Sequence, residues 1–259
     1  MPNIIACYKW VLDEQDIKIN HSNLALDTSK AKSKISEYDR NALEEAVLQA
    51  DKCGAAVASL TFGTSAAQKS LKDALSRGPE KAYWVNDTAA ETADGFVTAT
   101  VLAAALQKIS KYDIILFGEG AADTYGQQVG PRVATLLGIP AITFVTDMSI
   151  EGNQVTATRK IGDCTEVATA MFPVVITVLP EINKPRIPSL KQVLGAGKKP
   201  VIEWKTADLG LNAEELAPKN TVKSIKGFVM IRKNVLYKEG TPAENVASLV
   251  ASLTKEGIL

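Results

Sequence analysis

From Gly118 to Pro131 the sequence reads Gly-Glu-Gly-Ala-Ala-Asp-Thr-Tyr-Gly-Gln-Gln-Val-Gly-Pro, directly after the apolar run Ile114–Phe117. Glycines there let a backbone approach a phosphate, and the free N–H groups and dipole of a following helix favour an anion. The spacing Gly118-x-Gly120-x-x-Asp123 departs from the GxGxxG of dinucleotide loops. Glu119 and Asp123 would repel a pyrophosphate if they faced it. Two readings stay open: a nucleotide-binding loop, or an ordinary strand-to-helix turn.

Lys34-Ile35-Ser36-Glu37-Tyr38-Asp39 is a second constellation. Ser36 and Asp39 could hydrogen-bond an adenine or a ribose, or they could form a capping box. A third lies at Pro185-Arg186-Ile187-Pro188-Ser189-Leu190-Lys191-Gln192-Val193-Leu194. Apolar residues on a proline-stiffened stretch suggest a docking surface, whereas Leu190, Val193 and Leu194 could instead form one buried helical turn. Cys7 could line a pocket or be a small buried hydrophobe. The chain holds one histidine, His21, and three scattered cysteines, Cys7, Cys53 and Cys164. That offers no zinc-type ligand set and no disulfide framework. No Ser/His/Asp or Cys/His arrangement and no paired carboxylates stand out, so no catalytic residue and no metal site is expected.

These residues need elements to hold them. Ile4–Tyr8, Val57–Phe62, Ala82–Val85, Ile114–Phe117 and Ala141–Val145 read as strands. Helical patterns fall between them over 39–53, 65–76, 92–111 and 127–137. The alternation predicts an α/β fold with a doubly wound, mostly parallel, Rossmann-like sheet. Ligands of such sheets bind beyond the carboxyl ends of the strands, which singles out the loops after Tyr8, Phe62 and Phe117. From Ser149 the pattern changes: Ser149-Ile150, Gln154–Thr158, Glu166–Thr169 and Val174–Leu179 predict an antiparallel extension. Residues 180–200 are rich in Pro, Gly and Lys and read as a long exposed segment. A short strand over Gly227–Ile231 and an amphipathic helix over Pro242–Leu253 would form a C-terminal arm. The expected organisation is a nucleotide-binding domain over 1–200, with a docking segment near 184–200, and the arm over 201–259.

Composition narrows the function classes. Of 259 residues 46% are apolar and 22% charged, which excludes intrinsic disorder and collagen-like or coiled-coil architecture. Lys plus Arg and Asp plus Glu both number 29, so no basic excess points to nucleic acid. No leader is apparent and no apolar run reaches the ~18 residues of a membrane span, so a cytoplasmic protein without membrane insertion is expected.

Ordered motifs along nearly the whole chain resemble the small (beta) subunit of electron-transfer flavoproteins, in particular Fix-type members. They are Cys7-Tyr8-Lys9 with Asp13-Glu14-Gln15-Asp16-Ile17, Lys34 through Ala42, and Leu75-Ser76-Arg77-Gly78-Pro79. Asp123 through Gly130, Ile187-Pro188-Ser189-Leu190-Lys191, and Leu194 through Pro200 complete the set. The resemblance implies a heterodimer with an electron-transfer flavoprotein alpha subunit, on which the redox FAD mainly sits, with the C-terminal arm packed on that subunit. It also implies a second nucleotide on this chain: AMP in respiratory members, or a second FAD that accepts a hydride from NADH in bifurcating members. The family's pocket falls on Cys7, Ser36, Glu37, Tyr38, Asp39, Phe62, Gly120, Ala121, Ala122, Asp123, Thr124, Tyr125, Gly126, Gln127, Gln128 and Val129. Its docking loop for an acyl-CoA dehydrogenase or reductase-type partner falls on Arg186, Ile187, Leu190 and Val193, with Leu190 as the anchor. The Gln128-Val129-Gly130-Pro131 ending is similar to members that hold FAD, so FAD is expected and AMP is the alternative. Tyr125 is unusual beside both types and could block or stack a ring. The chain departs from the family at Gly162 and Cys164, where acids are common, and at Lys160, which replaces a frequent glutamate. A reading from another class is a non-redox adenine-nucleotide-binding regulatory module, which has no use for a leucine-tipped docking loop.

Overall fold

Alternate residues of the central strands are apolar on both faces, as a strand covered by helices on both sides requires. In β1 (Asn3–Cys7) Ile4 and Ala6 join one buried cluster while Ile5 and Cys7 join another. β4 (Ile114–Gly118) splits the same way, Ile114 and Leu116 against Ile115 and Phe117. The protein is described by a computed structural model covering residues 1–230 and 232–259.

Nine strands form the main sheet. Besides β1 and β4 they are β2 (Ala56–Gly63), β3 (Lys81–Asn86), β5 (Ala141–Glu151), β6 (Gln154–Ile161), β7 (Cys164–Met171), β8 (Val174–Val178) and β9 (Val201–Trp204). Their order across the sheet is β7-β6-β5-β8-β4-β1-β2-β3-β9. Every pair from β5 to β9 along that order is parallel, and β6 and β7 add the antiparallel extension. The expected fold class is therefore the one observed.

α1 (Glu37–Cys53) covers one face with Ala42, Leu43, Ala46 and Val47. α3 (Gly95–Ile109) and α4 (Val129–Leu137) cover the other. Each such large apolar side chain contributes roughly 2 kcal/mol by leaving water. α2 (Gln68–Ser76) packs Leu71 and Leu75 beside Trp84 of β3, with Ala196 of α5 (Leu190–Ala196) in the same cluster. The 92–111 helix is shorter than expected because Asp94 caps it, accepting from the Phe96 and Val97 N–H groups. Val201–Trp204, grouped with the arm on sequence, instead pairs with β3 as the sheet's edge.

Two motifs of the sequence meet at the end of α2. Lys199 Nζ donates to the carbonyls of Leu75 (2.8 Å), Gly78 (3.2 Å) and Pro79 (2.6 Å). These carbonyls end a helix and have no further partner in it. Lys199→Met should cost about 2 kcal/mol by leaving them shielded and unbonded. A urea-denaturation midpoint equal to wild type would show that water replaces the ammonium without loss.

The chain divides into two compact units, residues 1–18 with 27–224, and residues 19–26 with 225–259. The boundary thus falls after Ser224 rather than at 200. In the second unit the Gly227 N–H donates to the Leu24 carbonyl at 2.7 Å. Gly227 is needed there, since a Cβ would sit 2.6 Å from the Ile19 side chain. α6 (Pro242–Lys255) begins in a Thr241–Glu244 capping box, and Tyr237 Oη meets Ser252 Oγ at 2.5 Å. The strand expected over Gly227–Ile231 is not formed at 227–230, which find no strand to pair with among the described residues; Ile231 lies outside them. Phe228, Met230, Leu236, Val246 and Leu249 of this unit are exposed. Among the described residues no helix is long and apolar enough to cross a membrane.

Candidate functional site

The sheet reverses its winding between β1 and β4. β1 leads through α1 on one face, and β4 leads through α4 on the other. A crevice opens at the carboxyl ends of two such strands, and most of the residues singled out in the sequence converge there.

Asp39 ties the two strand ends together. Its carboxylate accepts from the Lys9 N–H at 2.8 Å and from the Gly118 N–H at 3.2 Å. Burial pushes this carboxyl up to about 7, against the pull of those two N–H bonds and the Lys9 charge. Ser36 stands at the N-cap of α1 but makes no side-chain cap. Its hydroxyl accepts from the Ala122 N–H at 3.2 Å instead. The capping box read from Ser36 and Asp39 is thus corrected: α1 starts at Glu37, and both side chains are drawn to loops distant in sequence.

The loop after β4 neutralises its own acids. Lys9 Nζ meets Asp123 Oδ2 at 2.6 Å. Tyr125 Oη donates to Glu119 Oε1 at 2.6 Å, and Gln127 Nε2 lies 3.5 Å from Glu119 Oε2. The Glu119 carboxylate holds the Tyr125 phenol up at about 12. The Tyr125 ring also rests against Tyr38, centroids 5.1 Å apart. This arrangement needs positive φ at Tyr125 (46°) and Gln127 (54°), an uncommon conformation outside glycine that costs of order 1–3 kcal/mol each. The Tyr125 N–H closes the turn on the Ala121 carbonyl at 2.8 Å, and Thr124 N donates to Asp123 Oδ1. Residues 123–128 are exposed, and a Cβ on Gly126 would touch nothing within 4 Å. Gln128 precedes α4 without capping it, so the first N–H groups of that helix stay available, with Val129 half-buried beside them.

The remaining sequence-predicted residues surround this crevice or pack beneath it. Glu37 is exposed and bonds Lys34 at 2.8 Å. Lys34 also meets Asp13 and Glu14, each at 3.0 Å. Burial would lower the Lys34 ammonium, but its hydrogen bonds to Glu37, Glu14 and Asp13 outweigh that and raise it. Cys7 and Phe62 lie in the core cluster facing α3 and α4. Burial, then the Asp39 charge, pushes the Cys7 thiol well up, so it is no thiolate at neutral pH. Sequence reasoning had not given Lys9 or Glu119 these partners; the signal was their position at the ends of β1 and β4.

The docking segment is helical but not buried, which corrects the alternative of a buried turn. α5 is capped by Ser189 with Gln192, and Leu190 is 75% exposed, Leu194 64% and Ile187 94%. Val193 is half-buried. The segment before it is fastened to α1 by a buried polar row that periodicity did not reveal. Asn41 Nδ2 donates to the carbonyls of Pro180 and Asn183, and Asn183 Nδ2 returns bonds to the Asn41 carbonyl and to Glu45. Glu44 accepts from Arg186 Nε at 2.8 Å and from the Arg186 N–H at 3.1 Å.

The family model described as Electron transfer flavoprotein domain matches residues 23–209, well over half of the chain.

Proposed function

Because the chain belongs to the electron transfer flavoprotein family, we propose that it is the small (beta) subunit of a Fix-type heterodimer. In this reading it carries electrons between an acyl-CoA dehydrogenase or reductase-type partner and a second redox partner, by bifurcation from NADH. The observation that carries the reading is the crevice between β1 and β4. A diphosphate there would meet the uncapped start of α4 and the open backbone at Gly126. It would not meet free acids, because Asp123 is paired with Lys9 and Glu119 with Tyr125. The residues present therefore fit a second FAD, with Ser36, Tyr38, Ala122 and Asp123 through Val129 as its holders; AMP is the smaller alternative. A bound flavin supplies the redox chemistry, and this chain supplies binding, orientation and electrostatics. The exposed Leu190 and Ile187 favour a protein-docking role over a non-redox regulatory module. The apolar side chains left exposed on the 225–259 unit fit a surface for the alpha subunit.

Denaturing the purified heterodimer and quantifying its nucleotides tests the reading. Two FAD and no AMP per heterodimer is the expected result. One FAD with one AMP would replace bifurcation by a single-flavin shuttle. An undialysed complex holding no nucleotide would overturn the proposal.

A further inference from the structure

A groove of about 320 Å³ lies between the first turn of α1 and the segment Pro185–Pro188. Three guanidinium groups line it, those of Arg40, Arg77 and Arg186, together with Glu37 and Ile187. Two of the three are already matched. Arg77 meets Asp73 at 3.0 Å. Arg186 meets Glu44 at 2.8 Å, with Asp51 at 3.6 Å. Arg40 has no ion pair among the described residues, and its Nε is shielded from solvent without an acceptor. Such a donor costs about 1–3 kcal/mol relative to a bonded one, so the site is complete only when something supplies an oxygen.

We propose that this groove receives a single carboxylate side chain from the protein that docks over Leu190, with Arg40 as its guanidinium partner. The inference rests on the docking reading above and adds the partner's chemistry. Charge sets the occupant. With Arg77 and Arg186 matched and Glu37 held by Lys34, one positive charge remains uncompensated. That balances one carboxylate, whereas a pyrophosphate would bring surplus negative charge beside Glu37. Position sets the source. The wall of the groove continues into Ile187, Leu190 and Leu194, all more than 60% exposed. A protein covering those apolar side chains also closes the groove and dries it, which strengthens a guanidinium–carboxylate bond. A free anion gains nothing from them.

The test measures binding of the intact heterodimer to its acyl-CoA dehydrogenase over a range of salt concentrations. Arg40→Gln should weaken binding about tenfold at low salt and flatten the salt dependence. Leu190→Ala should weaken it while leaving the salt dependence in place. Arg40→Lys, which keeps the charge but not the Nε donor, should fall between wild type and Arg40→Gln. If Arg40→Gln and Arg40→Lys both bind as wild type while Leu190→Ala is weakened, the groove takes no carboxylate and the proposal fails alone. If Leu190→Ala also binds as wild type, the docking reading fails with it. Titration with inorganic pyrophosphate provides the other arm: binding that Arg40→Gln abolishes would make this a phosphate site and overturn the proposal.

Discussion

Asp39→Ala should lower the unfolding free energy by about 3 kcal/mol and empty the nucleotide crevice. The carboxylate is the common acceptor of the N–H groups at the ends of β1 and β4. Removing it leaves two shielded donors, each costing roughly 1–3 kcal/mol, and frees the strand ends that frame the crevice. Asp39→Asn keeps one acceptor oxygen and should cost less. The two variants also separate geometry from charge. Burial holds this carboxyl at about 7 in the folded chain, against roughly 3.9 unfolded. Between those values the folded state keeps a proton that the unfolded state has lost. The stabilisation from this group is thus complete below pH ~4 and is lost as pH rises through 7, by at most about 4 kcal/mol. Wild type measured against Asp39→Asn by urea denaturation from pH 4.5 to 8 should show this falling difference. A difference that is flat or rises with pH would mean that the two N–H bonds outweigh burial and keep the group ionised throughout.

The same residue marks how far the sequence can be read. The central strands were legible because helices on both faces demand apolar residues at every position, and Ile114 to Phe117 supplies them. The apolar face of α1 was legible from its 3.6-residue period. What lies beside that face was not. Asn41, Glu44, Glu45 and Gln49 are buried, yet polar side chains on a helix read as solvated. Only Pro180, Asn183 and Arg186, some 140 residues away in sequence, bury them and pair with them. Ser36 and Asp39 offered two local readings because a cap and a long-range clamp use the same residue types. The partners that decide between them, Ala122, Lys9 and Gly118, come from loops that local patterning does not connect. The strand Val201–Trp204 was hidden differently. It is four residues long, follows a proline and pairs on one side only, so little apolar alternation was there to see. For the candidate site, the loop was located by its glycines and its place after an apolar strand. How it turns its acids inward depends on the Tyr125 backbone conformation and on Lys9.

Among the loop's glycines, Gly118→Ala should do the most damage, at about 3 kcal/mol or more, and Gly126→Ala next to none. A methyl group on Gly118 would lie 2.6 Å from the Tyr38 carbonyl carbon and 2.8 Å from Asp39 Oδ1. The first of these is backbone, so relief requires the start of α1 to move off the end of β4. α1 cannot follow cheaply, because Leu43, Ala46 and Val47 are locked in the core and Asn41 and Glu44 anchor the 180–186 segment. At Gly126 a methyl group meets nothing within 4 Å. Denaturation midpoints of the two variants provide the comparison. Gly118→Ala should also be non-additive with Asp39→Asn, since both loosen the same junction and the second change finds it already open. Additive losses, or a Gly118→Ala midpoint equal to that of Gly126→Ala, would mean that α1 and β4 adjust independently. The crevice would then be framed by the Lys9–Asp123 and Tyr125–Glu119 contacts of the loop, and not by the close approach of helix to strand.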